Sequence, residues 1–98
     1  MNDVLTVKFF TVDRSIPDKK CDSVRLPVSD NIKGEFSGSY GIKRGHARAI
    51  FSLKEGKVIL TSNEKTVFEA TISDGFATVE NNEVCINVNS INVNSINE

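Results

Sequence analysis

The sequence predicts an all-β domain of the sandwich or barrel kind, and three observations carry that reading. Turn-forming clusters recur about every eight to twelve residues, the spacing of such folds. The segments between them alternate apolar and polar residues with the two-residue period of a half-buried strand. No segment sustains the longer period of a helix. At 98 residues the chain makes one domain at most, with a modest core and little surplus stability for a deep catalytic cleft.

The elements follow in order. Val4 to Val12 is β-rich, with Leu5, Val7 and Phe9 on one face and Thr6 and Lys8 on the other. Asp13 to Lys20 reads as a turn region, because Pro17 lacks a ladder donor and Asp, Ser and Lys prefer solvent. Ser23 to Ser29 alternates again through Val24, Leu26 and Val28, and Pro27 within it predicts an edge strand or a strand end. Asp30 to Lys33 leads into Gly34 to Phe51, which holds four of the six glycines (Gly34, Gly38, Gly41, Gly45) and the single histidine, His46. Glycine serves positive φ or close approach, so this run reads as a series of tight turns. From Ala47 the period of a strand returns, with Ala49, Phe51 and Leu53 set against Arg48, Ile50 and Ser52.

Beyond Leu53 the chain turns at Lys54-Glu55-Gly56, and Lys57 to Thr61 is a strand on Val58, Ile59 and Leu60. Ser62 to Lys65 is a hairpin-like connection, and Val67 to Ile72 follows with Phe68, Ala70 and Ile72 on one face. Ser73-Asp74-Gly75 carries the Asp-Gly pair that hairpins favour. Phe76 to Glu80 and Val84 to Val88 are two more strands, joined by Asn81-Asn82-Glu83. Ile86-Asn87-Val88-Asn89-Ser90 is then repeated as Ile91-Asn92-Val93-Asn94-Ser95. The odd repeat length makes the apolar residues change face between copies, so the first copy completes a strand and residues 89–98 are expected to be a frayed tail.

Composition excludes several classes. Twelve basic and thirteen acidic residues give a net charge of -1, against the basic excess of a nucleic-acid binder. Lys19-Lys20 and Lys43-Arg44 are short enough to be solvated turn residues. No apolar run reaches the length that crosses a bilayer, and the opening residues do not read as a signal peptide. The two cysteines, Cys21 and Cys85, lie far apart and lack the framework of a small secreted domain. They are expected to be free thiols.

Catalytic arrangements fail one by one. His46 has no neighbouring histidine or carboxylate at metal-ligand spacing. Nucleophilic catalysis would need Cys21 or Cys85 to meet His46 in space, whereas both sit at strands, where a small thiol packs as a hydrophobe. The glycines spell neither a Walker loop nor a dinucleotide fingerprint. Asp30 and Glu35 could pair, but loop acids are nearly always solvated. The residues predict no catalytic, metal or cofactor site. A bracing role for His46, capping the turn or bonding a strand end, is weighed above direct partner contact.

One resemblance goes further. Ser39-Tyr40-Gly41-Ile42-Lys43-Arg44-Gly45-His46-Ala47, with Leu53 to Val58 downstream, resembles the N-terminal domain of the ATP synthase epsilon subunit. That family carries Gly-Ile/Leu, then Pro-Gly-His-Ala, then a strand and a Lys-Pro-Gly turn. The opening strand, Asp22 to Pro27, Ser73 to Phe76 with Val79-Glu80, and Asn81 to Ile86 extend the likeness over Leu5 to Val88. The resemblance implies a flattened β-sandwich of about ten short strands over residues 1–88. It implies a non-catalytic rotor subunit of the central stalk that binds the gamma subunit and rests on the c-ring, without inserting into the membrane. The complex lies on the cytoplasmic face of the membrane or its organelle equivalent, and the domain couples ion-driven rotation to ATP synthesis. Carried over by position, Ser39, Tyr40, Gly41, Ile42, Lys43, Arg44, Gly45 and His46 are the ring-side residues, and no cofactor is implied. Arg44 stands where the family has proline, and Ser39 where it often has an acidic residue. With Lys43, Arg44 makes a basic lip suited to acidic ring loops. The connection from Asp30 to Gly38 reads as longer than in the family. The sequence stops about where the family's two-helix C-terminal domain begins, which implies a short form. The alternative is a stand-alone β-sandwich that binds a protein partner outside the complex.

Overall fold

A computed structural model of the chain describes residues 4–12, 14, 16–29 and 37–96. Every regular element among them is a strand: β1 (Leu5–Phe10), β2 (Lys19–Cys21), β3 (Ser23–Ser29), β4 (Ser37–Lys43), β5 (Ala49–Leu53), β6 (Gly56–Ser62), β7 (Lys65–Ile72), β8 (Gly75–Glu80), β9 (Glu83–Val88) and β10 (Ile91–Ile96). Their order is β10-β7-β6-β3-β5-β8-β9-β1-β2, with β4 added on β3. All pairs are antiparallel except β1 with β9. The sheet curls on itself into a flattened sandwich with principal extents of 39 × 30 × 21 Å, and the Asp22 amide closes it by donating to the Thr61 carbonyl at 2.9 Å.

The alternation read from the sequence decides which side faces inward. Leu5, Val7 and Phe9 of β1, Phe68, Ala70 and Ile72 of β7, and Val84 and Ile86 of β9 are buried in one continuous core. The Phe9 and Phe68 rings meet at 5.5 Å between centroids, close enough for an aromatic contact beyond simple burial. Two connections are two-residue hairpin turns. Asn63 and Glu64 (φ 53° and 67°) join β6 to β7, and Asn81 and Asn82 (φ 54° and 62°) join β8 to β9. Positive φ at both central residues matches the twist of the flanking strands.

Four expectations change. The glycine-rich run is a strand, β4, over Ser37–Lys43, paired with β3 from Ser23↔Lys43 to Ser29↔Ser37. Tyr40 and Ile42 supplied its period, and among the described residues of the run only Gly45 adopts positive φ (83°). Pro27 does not mark an edge. It lies between Arg25, the last β3 residue paired with β6, and Val28, which pairs with β5, so its missing N–H falls where β3 changes partners. Ser73-Asp74-Gly75 is no hairpin, because β7 pairs with β6 and β10 while β8 pairs with β5 and β9. It is a crossover between layers. Nor is the second repeat copy frayed: it forms β10 on β7, with Ile91 opposite Ile72 and buried. Asn89 and Ser90 take up the change of face, and the new strand crosses to the opposite edge instead of prolonging β9. The Asp30–Gly38 connection, including Gly34, the candidate pair Asp30 and Glu35, and its expected extra length, lies outside the described residues up to Ser37.

Candidate functional site

The lip between β4 and β5 is built from alternation and one turn. Tyr40 and Ile42 point to the core, Ile42 fully buried and Tyr40 packed against the core edge. Ser39, Gly41 and Lys43 take the outer face and are exposed, as are Arg44 and Gly45. The eight residues expected as ring-side therefore divide. Ser39, Gly41, Lys43, Arg44 and Gly45 form an accessible rim, while Tyr40, Ile42 and His46 support it from within. A Cβ at Gly41, as at Gly45, would meet nothing within 4 Å, but Gly41 lacks the positive φ of Gly45. Its place is set by openness rather than by backbone strain.

His46 braces the turn. Its Nδ1–H donates to the Ala47 carbonyl at 2.7 Å, which leaves Nε2 as the acceptor for the Tyr40 hydroxyl at 3.2 Å. Its backbone amide donates to the Lys43 carbonyl at 3.2 Å. The Tyr40 ring packs on Phe51 at 4.9 Å, and His46 meets Tyr40 and Phe51 nearly edge-on at 5.9 and 6.0 Å. From the far hairpin, Asn82 Oδ1 accepts the Gly45 N–H at 2.7 Å. The rim is basic: Lys43 and Arg44 lie on it, Arg25 stands opposite Gly41 on β3, and Arg48 follows in the same connection.

A second surface went unread in the sequence. Phe10, Val12, Ile50 and Phe76 are exposed at 50, 86, 76 and 48%. Phe10 and Phe76 flank Asn87 in one row across β1, β9 and β8, and Ile50 sits opposite Thr78 in the next row. With Val12, Asp74 and Asn89, the two phenylalanines line an open groove of about 540 Å³. An outward apolar cluster of this kind is the usual mark of a binding surface. The signal was present as parity: Phe10, Ile50 and Phe76 occupy positions opposite in phase to the core residues of their own strands.

The thiols do not meet the histidine in any contact found among the described residues. Cys21 is buried and Cys85 half-buried, both free. Burial, with Asp22 adding to it, pushes the Cys21 thiol up to about 12, away from the thiolate that nucleophilic chemistry needs. Burial also raises Cys85. Among the described residues no group of three His, Cys, Asp or Glu side chains could hold a metal, and no helix is long and apolar enough to cross a membrane.

Comparison with known proteins supplies the family. The family described as "ATP synthase, Delta/Epsilon chain, beta-sandwich domain" matches residues 4–93. The chain is 35% identical over 86 residues to the ATP synthase epsilon chain of a Cyanothece species, covering 88% of this chain and 56% of that protein. It is 35% identical over 86 residues to that of Synechococcus elongatus, covering 88% and 57%. It thus spans a little over half the length of these relatives. Among solved structures, a chain in the mitochondrial ATP synthase assembly of Euglena gracilis containing OSCP, F1 and the c-ring superposes with a TM-score of 0.75. The identity there is 19%, over 95% of this chain and 55% of that one, a likeness of fold. On the match across residues 4–93, this chain belongs to the ATP synthase delta/epsilon-chain β-sandwich family.

Proposed function

We propose that this chain serves as the β-sandwich part of a non-catalytic rotor subunit in an F-type ATP synthase. It docks on the gamma subunit and the c-ring and couples ion-driven rotation to ATP synthesis. The family match carries this reading, and the shape of the lip supports it. Exposed residues Ser39, Gly41, Lys43, Arg44 and Gly45 stand on a support of buried Ile42 and the Tyr40–His46–Phe51 triangle. A rim held rigidly in advance loses less entropy on docking. Its positive charge suits an acidic polar loop, as the c-ring would present on the cytoplasmic face of the membrane or its organelle equivalent. The apolar groove between Phe10 and Phe76 offers a separate face for a larger, drier contact, which fits gamma. Docking, with no bond made or broken, is the chemistry that these surfaces support.

The test is association with gamma and c-ring subunits from the same source, measured by co-purification and calorimetry. Binding of both is expected, with c-ring binding weakened by added salt because its contacts are charged. Failure to bind either subunit removes the rotor reading and leaves the stand-alone binding module.

A further inference from the structure

We propose that Asn82, on the turn between β8 and β9, sets the conformation of the docking lip. This rests on the lip being the docking surface. Gly45 is the lip's left-handed residue, at φ 83°, and it lies beyond the last β3–β4 pair, Ser23↔Lys43. No strand ladder therefore fixes it. The His46 amide bond to the Lys43 carbonyl at 3.2 Å bends the turn upon itself but ties it to nothing outside. His46 holds its own end of the turn through Tyr40 and Phe51, and Asn82 ties the Gly45 end from the other hairpin, its side-chain oxygen taking the Gly45 N–H at 2.7 Å across 37 residues of sequence.

Asn82 is itself well anchored. Its carbonyl accepts the Thr6 amide of β1 at 2.9 Å, and it occupies the second position of a two-residue turn closed by Glu80↔Glu83. At φ 62°, asparagine is among the few residues other than glycine that sit comfortably. One residue thus satisfies a turn and fixes a second turn from the opposite hairpin. The backbone can supply the first role with glycine, whereas only a side-chain acceptor can supply the second. The two roles separate by substitution.

Asn82→Gly keeps the turn, since Asn-Gly is the pair most favoured at two positive-φ positions, and deletes the acceptor. Asn82→Asp restores an oxygen at the same reach. The readouts are hydrogen exchange of the Gly45 amide by NMR on the full chain, the unfolding midpoint, and affinity for isolated c-ring and gamma. Asn82→Gly is expected to leave the midpoint unchanged or raised, to speed Gly45 exchange about fivefold, and to weaken c-ring binding by a similar factor, as for one lost hydrogen bond. Asn82→Asp is expected to keep slow exchange. Unchanged Gly45 exchange in Asn82→Gly overturns the tether, and faster exchange with undiminished c-ring affinity overturns its role in docking. If the unaltered chain binds no c-ring, the docking reading falls, and the exchange rates alone decide whether Asn82 holds the turn.

Discussion

At the scale of single residues, the glycines of the lip separate conformation from contact. Gly45 sits at φ 83°, where a side chain costs roughly 1–2 kcal/mol, so Gly45→Ala is expected to lower stability in denaturant titrations by about that amount. Gly41 has open space around it, and Gly41→Ala should leave the unfolding curve in place. Gly75 is the opposite case. A Cβ there would overlap the Asn87 carbonyl oxygen of the paired strand, and Gly75→Ala is expected to cost more than either, about 3 kcal/mol, with strand displacement. The thiols give a pH test. Cys21 is pushed from its ordinary 9.0 to about 12 by burial and by Asp22, so the unfolded chain ionises first as pH rises. Stability from this group is complete below about pH 9 and is lost progressively towards about pH 12. Denaturation curves of the protein and of Cys21→Val, compared between neutral pH and about pH 11, should diverge only at the alkaline end. Iodoacetamide should reach the half-buried Cys85 in the native state, and Cys21 only on unfolding.

At the scale of elements, β10 and the two crossovers carry the predictions. Ser73 Oγ accepts the amides of both Asn89 and Ser90 at 3.1 Å, and the Ser73 amide donates to the Ser90 carbonyl at 3.1 Å. One hydroxyl therefore braces the β7–β8 and β9–β10 connections together. Ser73→Ala should cost about 1–2 kcal/mol in denaturant unfolding. Ending the chain after Asn89 should cost at least about 2 kcal/mol, since it uncovers Ile72 and removes buried Ile91. Strand identity was legible wherever inward residues alternate cleanly, as in Leu5-Val7-Phe9 or Phe68-Ala70-Ile72. It was obscured in β4, where glycines hid the Tyr40–Ile42 period, and in β10, where one repeat passes through a change of face. Asp74-Gly75 misled for another reason: turn chemistry specifies a local bend, and only the long-range pairing of β8 with β5 and β9 says which strands that bend separates.

At the scale of the whole molecule, the fold explains why the lip was only half legible. Ser39 to His46 are singled out in the sequence only as what the resemblance implies, and their division into an exposed rim and a support of buried Ile42 with half-buried Tyr40 and His46 comes from the fold, with β4 lying on β3. The Asn82 tie joins residues 37 positions apart, which no local pattern announces. The outer cluster of Phe10, Ile50 and Phe76 comes together only because β1, β9, β8 and β5 are neighbours in the sheet. The central claim is that the rim is a docking surface resting on a scaffold that does not need it. Gly41→Trp tests this most directly, because Gly41 is exposed and a Cβ there meets no neighbour within 4 Å, so the side chain leaves toward solvent, where a docked partner would meet it. The measurement is c-ring affinity of Gly41→Trp beside the unaltered chain, with the unfolding midpoint of each. An unchanged midpoint with binding weakened about tenfold or more is the predicted result, as for a bulky residue forced into an interface centre. Binding by both proteins with equal affinity would contradict the account.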